Sequence, residues 1–545
     1  MLLKRLSYGR PWRPVSNGMK ERIGENIMPK KTEAEKRFLD NLEKRFAEAK
    51  PIKEVADKLT AAGFEPYLVG GCLRDLLLDK QPKDWDLTTG AKPEEILKAF
   101  PDSIYENKFG TVAIKTESED PKMKIVEVTT FRQEGKYTDK RHPDEITFAK
   151  TVEEDLSRRD FTINAMAYEV SSDKRRINGL VDPFGGQADL EAKIIRAVGN
   201  PEERFAEDAL RLMRAIRFSA QLGFAIEEKT ADAIKNKAGL LEFIAKERIA
   251  QELEKLLMTD NAMEGIINME KLGMLKCVLP ELQEGVDVNQ NKHHRYTVFE
   301  HNIKALEYAV TKKFPLELRL ASLLHDVGKP RSRQWKDDPR GEKTLNGKKG
   351  DWTFYQHQYI GEKMTVEALD RLKFPRKMIE KIALLVREHM FVYDPEMVTA
   401  RGVRRLVSRV GAENVDDLLL VREADRIGSG VAKAQPYRLR HLKAMIEKAK
   451  KDPLSPKMIA IKGNDIMELL KIEPGPKIGQ ILNILLDEIL DDPELNEKKT
   501  LAERTKKLGK LSETELKKLA DKAKEKVLKA QERIDEEIKK KYFVK

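Results

Sequence analysis

At 545 residues the chain is long enough for roughly three or four domains and too long for one compact globule. Its 36% charged residues leave no apolar run of the ~18 residues that a membrane span needs, and the basic N-terminal stretch lacks the apolar core of a secretory signal, so a cytoplasmic protein with no membrane partner is expected. The net charge of +11 favours a polyanionic partner, while two cysteines, Cys72 and Cys277, are too few and too far apart for a disulfide framework or a cysteine metal site, and both are expected as small buried residues.

Residues 1–50 read as a basic extension with one polar helix, to which no function is assigned. From 51 to 182, short β-type runs ("YLVGG", "TVAIKT", "KIVEVTTF", "INGLVD") alternate with helical ones and predict a mixed α/β unit. In "VGGCLRDLLLDKQPKDWDL" (69–87) a strand runs into a turn at Gly70 and Gly71, where the absence of Cβ lets the backbone approach a phosphate. "DWDL" predicts a second strand, whose period of two puts Asp84 and Asp86 on one face. Two carboxylates so placed repel each other unless a cation sits between them, and Mg²⁺ suits both carboxylate and phosphate oxygens. Asp-x-Asp alone is more often a solvated turn; the glycines and the Arg74-Asp75 pair upstream tip the balance towards a site. In "KIVEVTTF" the alternation places Ile125 and Glu127 together on a buried face, where Glu127 requires a metal. Three carboxylates on adjacent strands can hold two Mg²⁺ ions, the arrangement that nucleotidyl transfer uses.

After "DPFGGQADL" (182–190) strand signals almost vanish and apolar residues recur at helical spacing. In "PEERFAEDALRLMRAIRFSAQLGF" (201–224) that spacing sets Asp208 and Arg211 at i,i+3 on one helix face, with Arg214 and Arg217 continuing the stripe. A surface ion pair between Asp208 and Arg211 is the simplest alternative. Leu210, Met213, Ile216 and Phe218 argue against it, because a packed helix leaves its charges in need of partners.

Four of the eight histidines fall on predicted helices: His301, His325, His357 and His389. One such histidine is usually a core residue. Four, with the His325-Asp326 doublet and Asp425 in "READRIG", form a ligand set suited to Mn²⁺, Fe²⁺, Ni²⁺ or Mg²⁺, since adjacent helical residues lie about 100° apart and can share an ion. Residues 331–353 are expected as a polar, basic insertion and 496–545 as a Lys/Glu-rich helix with a solvated face.

"GGCLRD", "DWD", "RRDFTINAMA", "DPFGGQADL" and "EDALRLMRAIRF" follow one another in an order that resembles the bacterial tRNA nucleotidyltransferases, the CCA-adding enzymes, of the branch shared with bacterial poly(A) polymerases; the resemblance covers about 60–500. It implies an α+β chain: a polymerase-β-like head with a mixed sheet and helices (51–182), a mainly helical neck and RNA-binding body (183–290), an HD domain (291–450) and a helical tail with a basic C-terminal helix (451–545). By that resemblance Asp84 and Asp86 hold the metals, Gly71 and Arg74 contact the triphosphate, Arg159 and Asp160 the ribose and phosphates, and Arg214 and Arg217 the remaining charge. The implied partners are a tRNA 3′ end, CTP and ATP, with no oligomeric state indicated.

Residues 291–450 resemble HD-domain phosphohydrolases, with His301, His325, Asp326 and Asp425 in the positions of the metal quartet and His357 and His389 as ligands to a second metal. This implies hydrolysis of phosphomonoesters or 2′,3′-cyclic phosphates, against the alternative of a tRNA-binding scaffold.

Base choice follows from chemistry. Cytosine and adenine present an amino donor beside a ring-nitrogen acceptor, whereas uracil and guanine present a carbonyl in the amino position. An aspartate accepting from the amino group and an arginine donating to the ring therefore suit C and A alike, and Asp208 and Arg211 are the expected pair. The segment 132–148 resembles the flexible loop that CCA-adding members keep and CC-adding members shorten, with Arg132, Tyr137, Asp139, Arg141 and Pro143 matching. A poly(A) polymerase, or a member that adds A only, is the alternative.

Overall fold

The structure is a computed structural model that describes residues 42, 44–105, 110–134, 146–170, 179–290, 295–337, 350–451 and 459–544. Nine strands form the head: β1 Pro66–Val69, β2 Asp86–Thr89, β3 Ile104–Tyr105, β4 Thr111–Lys115, β5 Ile125–Thr130, β6 Arg132–Glu134, β7 Ile146–Phe148, β8 Ala167–Glu169 and β9 Leu180–Val181. Seven make one sheet in the order β3-β4-β5-β2-β1-β8-β9, while β6 and β7 pair separately. Only β2 and β5 run parallel, so the sheet is mixed as expected. Central β1 is buried along its whole length, which explains its unbroken apolar run.

Helix Lys50–Ala61 buries Ile52, Val55, Ala56 and Leu59, the i, i+3, i+4, i+7 face of an amphipathic helix. Just before it, Leu42 and Phe46 are buried in the same core, so the end of the supposed extension is part of the fold. Helix Gly70–Leu77 begins directly at the end of β1; the expected Gly-Gly turn is a strand-to-helix junction. Beyond the head the regular structure of the described residues is helical apart from two small pairs, β10 Ile194–Ile195 with β11 Ala225–Ile226, and β12 Gln334–Asp337 with β13 Gly350–Thr353. The second pair makes the described ends of the polar insertion an antiparallel two-stranded hairpin that sets Trp335 edge-on against Trp352.

One apolar core runs from Leu42 to Ile446, and a second from Ile459 to Ala523 is built within the tail. The expected single solvated C-terminal helix is two helices, Lys498–Gly509 and Glu513–Tyr542, which bury Leu501, Leu508, Leu516 and Ala520. Lysines and glutamates at the intervening positions hid this narrow apolar seam.

Candidate functional site

Gly70, Asp86, Arg159, Asp208 and Arg214 all line one cleft of about 1000 Å³ between the head sheet and helix Leu210–Leu222. Gly70 has φ +69, and a Cβ there would stand 3.1 Å from the Arg159 guanidinium and 3.5 Å from the Asp86 carboxylate, so both its backbone conformation and its surroundings require glycine. Buried Trp85 separates Asp84 from Asp86 and anchors this segment. Asp84 lies just before β2, not within it as expected, yet the alternation about Trp85 still brings it to the cleft.

Asp86 and Glu127 are register partners on β2 and β5. The expected burial pattern of β5 is inverted: Val126 and Val128 face the core, and Ile125 (55% exposed) and Glu127 lie on the open face. Glu127 therefore reaches the acidic cluster through solvent-facing register. Burial first, then the charges of Asp84 and Glu127, push the Asp86 carboxyl up to about 7, with Arg159 opposing. Asp84 and Asp86, side by side in the cleft with the Asp86 carboxyl costly to ionise, fit a divalent cation and could hold one; Glu127 faces them from β5 and does not line the cleft.

Eight arginines line the same cleft, which suits a polyphosphate. Arg74 is buried and fixed by Asp75 (2.6 Å) and Asn164 (2.9 Å). Asp155 holds Arg159 at 3.2 Å. Arg214 pairs with Asp160 (2.6 Å), and although burial disfavours its charge, that guanidinium holds Asp160 down at about 2. Arg217 pairs with Glu252 at 2.5 Å and stacks 4.0 Å over the Phe218 ring.

Asp208 and Arg211 both line the cleft, but not through helical spacing. Asp208 has extended backbone between helices Pro201–Glu207 and Leu210–Leu222, accepts the Leu210 N–H at 2.9 Å, and lies 3.4 Å from Arg248. Arg211 instead bonds Glu207 (2.8 Å) and the carbonyl oxygens of Arg204 and Arg158. The i,i+3 helix pair is thus corrected to a cap residue followed by a first-turn arginine, each steered by a different neighbour.

Sequence reasoning missed Asn164, Asp155, Arg248 and Glu252. Asn164 lay inside the quoted "RRDFTINAMA", and Asp155 stands at i,i+3 and i,i+4 from its partners Arg158 and Arg159, a local spacing that could have found it; Arg248 and Glu252 carried no local signal, because their partners lie on other elements. Of the loop residues, Arg132 lines the cleft, while Tyr137, Asp139, Arg141 and Pro143 fall outside the described residues. Cys72 is buried as expected, but Cys277 is only half-buried.

The six residues of the second set converge. Asp326 presents Oδ2 to His301 (3.0 Å) and His325 (3.4 Å), and Oδ1 to His357 (3.2 Å) and His389 (3.5 Å). Asp425 completes the first group at 3.3 Å from His301. Both groups have ligand atoms within 4.8 Å of one another. His325, His357 and His389 each set Nδ1 against a backbone carbonyl, those of Ser322, Phe354 and Val386, so Nδ1 carries a proton in all three and the neutral rings of His357 and His389 keep a lone pair on Nε2. The Nε2 atoms of His357 and His389 nevertheless approach to 3.3 Å, and those of His301 and His325 to 2.8 Å. The facing lone pairs of His357 and His389 would be satisfied by a cation between them, and with Asp326 presenting one oxygen to each histidine pair these residues could hold two metal ions. Gly328 permits the convergence: a Cβ there would lie 2.1 Å from the His357 carbonyl oxygen.

Residues 66–196 match the family described as the poly A polymerase head domain, 223–285 the probable RNA and SrmB-binding site of polymerase A, and 298–429 the HD domain. The CCA-adding enzyme of Lactococcus lactis subsp. lactis is 32% identical over 480 residues, which span 86% of this chain and 99% of that protein. The chain belongs to the CCA-adding tRNA nucleotidyltransferase and poly(A) polymerase family. Within this nucleotidyltransferase family, the A-adding tRNA nucleotidyltransferase of Deinococcus radiodurans is 36% identical over 355 residues, 63% of this chain and 76% of its own. Among solved nucleotidyltransferases, the Bacillus stearothermophilus CCA-adding enzyme in complex with CTP superposes with a TM-score of 0.51 at 26% identity, covering 84% of this chain and 96% of that one.

Proposed function

We propose that the chain adds C, C and A, without a template, to the 3′ end of tRNA from CTP and ATP in the cytoplasm, through a head (51–182), a neck and RNA-binding body (183–290), an HD domain (291–450) and a tail (451–545). The observation that carries this reading is the single cleft in which an acidic cluster, eight arginines and the Asp208/Arg211 pair meet. Asp84, Asp86 and Glu127 are the catalytic carboxylates; Mg²⁺ bound by Asp84 and Asp86 supplies activation of the attacking 3′-hydroxyl and neutralisation of the triphosphate. Gly70 and Gly71 let the triphosphate approach the start of helix Gly70–Leu77. Arg74, Arg159, Arg214 and Arg217 offset its charge, with Asp160 orienting Arg214. Asp208 accepts the amino group of C or A while Arg211 donates to the ring nitrogen. Uracil or guanine would leave acceptors facing each other, at a cost of about 1–3 kcal/mol per unpaired group.

The test is a tRNA ending at the discriminator base, incubated with each nucleotide singly and together. Three added nucleotides with CTP and ATP support the reading, whereas incorporation of ATP alone, with CTP unused, assigns an A-adding enzyme or a poly(A) polymerase. The Deinococcus relative's name makes the A-adding alternative specific.

The second site supports a hydrolytic activity on phosphomonoesters or 2′,3′-cyclic phosphates, with His301, His325, Asp326 and Asp425 holding one divalent ion and Asp326, His357 and His389 another, of a kind such as Mn²⁺ or Ni²⁺. Release of inorganic phosphate from such esters by the purified protein checks it.

A further inference from the structure

Four of the six HD ligands, Asp326, His357, His389 and Asp425, form the floor of a cavity of about 420 Å³, a volume that suits a mononucleotide-sized ligand. Its wall includes the β12–β13 hairpin, which supplies no metal ligand. Trp352 lines the cavity together with Phe354 and Tyr355, the residues that lead from β13 to His357. Trp352 is held in place by the Arg333 guanidinium 3.8 Å over its ring and by its cross-strand partner Trp335, edge-on at 5.2 Å. Tyr355 is 67% exposed, an unusual state for a large aromatic ring beside a buried polar cluster. Lys329 and Arg422 also line the cavity, and each is bonded to a ligand: Lys329 to Asp326 and Arg422 to Asp425, both at 2.5 Å.

Aromatic rings on one wall and cations beside a metal-binding floor match a ligand with a flat π-system at one end and a phosphate at the other. We propose that the β12–β13 hairpin is a base-binding subsite, so that the HD cavity takes a nucleoside phosphate, its base stacked on Trp352 and Tyr355 and its phosphate directed to the floor beside Lys329 and Arg422. Sugar phosphates without a base lack the stacking half of this recognition. The ligand is a free mononucleotide or the terminal nucleotide of an RNA strand, both of which present the same chemistry. The inference rests on the HD cluster being a phosphate and metal site, and it concerns what that site selects.

Calorimetric titrations compare adenosine 3′-monophosphate, a short RNA ending in a 3′-phosphate, and ribose 5-phosphate, on the full-length protein with and without Mn²⁺. The head also receives nucleotides, so the decisive quantity is the difference between wild type and the variants Trp352→Leu and Tyr355→Leu. Stacking on one aromatic ring is worth about 1–3 kcal/mol per base, so each variant loses about tenfold in nucleotide affinity while ribose 5-phosphate binding stays unchanged. Trp352→Phe and Tyr355→Phe retain most of the affinity, which separates stacking from hairpin collapse. The RNA behaving like the mononucleotide assigns a strand end; only the mononucleotide responding assigns the free ligand. Unchanged nucleotide binding in both leucine variants, or equal loss for ribose 5-phosphate, overturns the proposal. Phosphate release measured in parallel keeps the two readings apart: hydrolysis that ignores the base removes the subsite and leaves the hydrolase, and aromatic-dependent binding without hydrolysis does the reverse.

Discussion

Asp86 and Glu127 occupy the same rung of the one parallel strand pair in the head sheet, where burial first, then the charges of Asp84 and Glu127, raise the Asp86 carboxyl to about 7. Register, rather than separation along the chain, makes them neighbours.

A carboxyl with a raised folded-state pKa favours the metal-free fold most when protonated. That contribution is complete below about pH 4 and is lost as pH rises through about 7, the value burial and its acidic neighbours give Asp86. Mg²⁺ is therefore expected to raise the melting temperature more at pH 8 than at pH 5.5, and Asp86→Asn to flatten that difference while abolishing nucleotide addition. Equal Mg²⁺ shifts at both pH values would remove these carboxylates from the metal site.

Asp208 has two tasks that substitution can separate. Asp208→Ala loses both the carboxylate and the acceptor for the Leu210 N–H, costing about 1 kcal/mol of stability and relaxing the choice of CTP over UTP. Asp208→Asn keeps a capping oxygen and can turn its amide towards the uracil carbonyl, so UTP incorporation rises with little change in stability. Single-nucleotide incorporation and urea unfolding measure the two effects, and an unchanged CTP/UTP ratio in both variants assigns Asp208 a structural role only.

Breaking the Asp160–Arg214 pair leaves a guanidinium without its nearest counter-charge. Asp160→Asn is expected to cost about 3 kcal/mol, the low end for a buried pair because Arg214 keeps about a third of its side chain in solvent. Arg214 depresses the Asp160 pKa, so the wild-type advantage is fully present above about pH 4 and disappears only as pH falls towards about 2. Denaturant midpoints of the two proteins should differ by a constant amount from pH 5 to pH 8; a gap that narrows across this range contradicts the pairing.

Asp326 faces both histidine pairs, so metal content should fall unequally. With the head's metal removed by Asp86→Asn, the wild-type HD site is expected to bind two Mn²⁺ ions, His357→Ala with His389→Ala one fewer, and Asp326→Ala neither with high occupancy, by manganese analysis after dialysis. Nucleotide addition to intact tRNA continues in the HD variants that keep Asp86, because the head carboxylates are a separate set. Equal manganese content with the wild-type HD site and with Asp326→Ala would exclude the bridging arrangement.

The sequence by itself determined the chemistry at hand: which carboxylates, arginines and histidines exist, the glycine at position 70, and the ordered motifs that mark the family. Local periodicity also carried the mixed head and the helical remainder, because strand and helix patterns arise from neighbours a few residues apart. Tertiary structure decided which side of β5 is buried, since that depends on the sheet's covering helices and not on alternation, and so why Glu127 is available. It decided that Asp208 answers to Arg248 and Arg211 to Glu207, and that Asn164 fixes Arg74 across 90 positions. It also joined four histidines and two aspartates spread from 301 to 425 around one carboxylate, a convergence fixed by the packing of separate helices that no local pattern encodes.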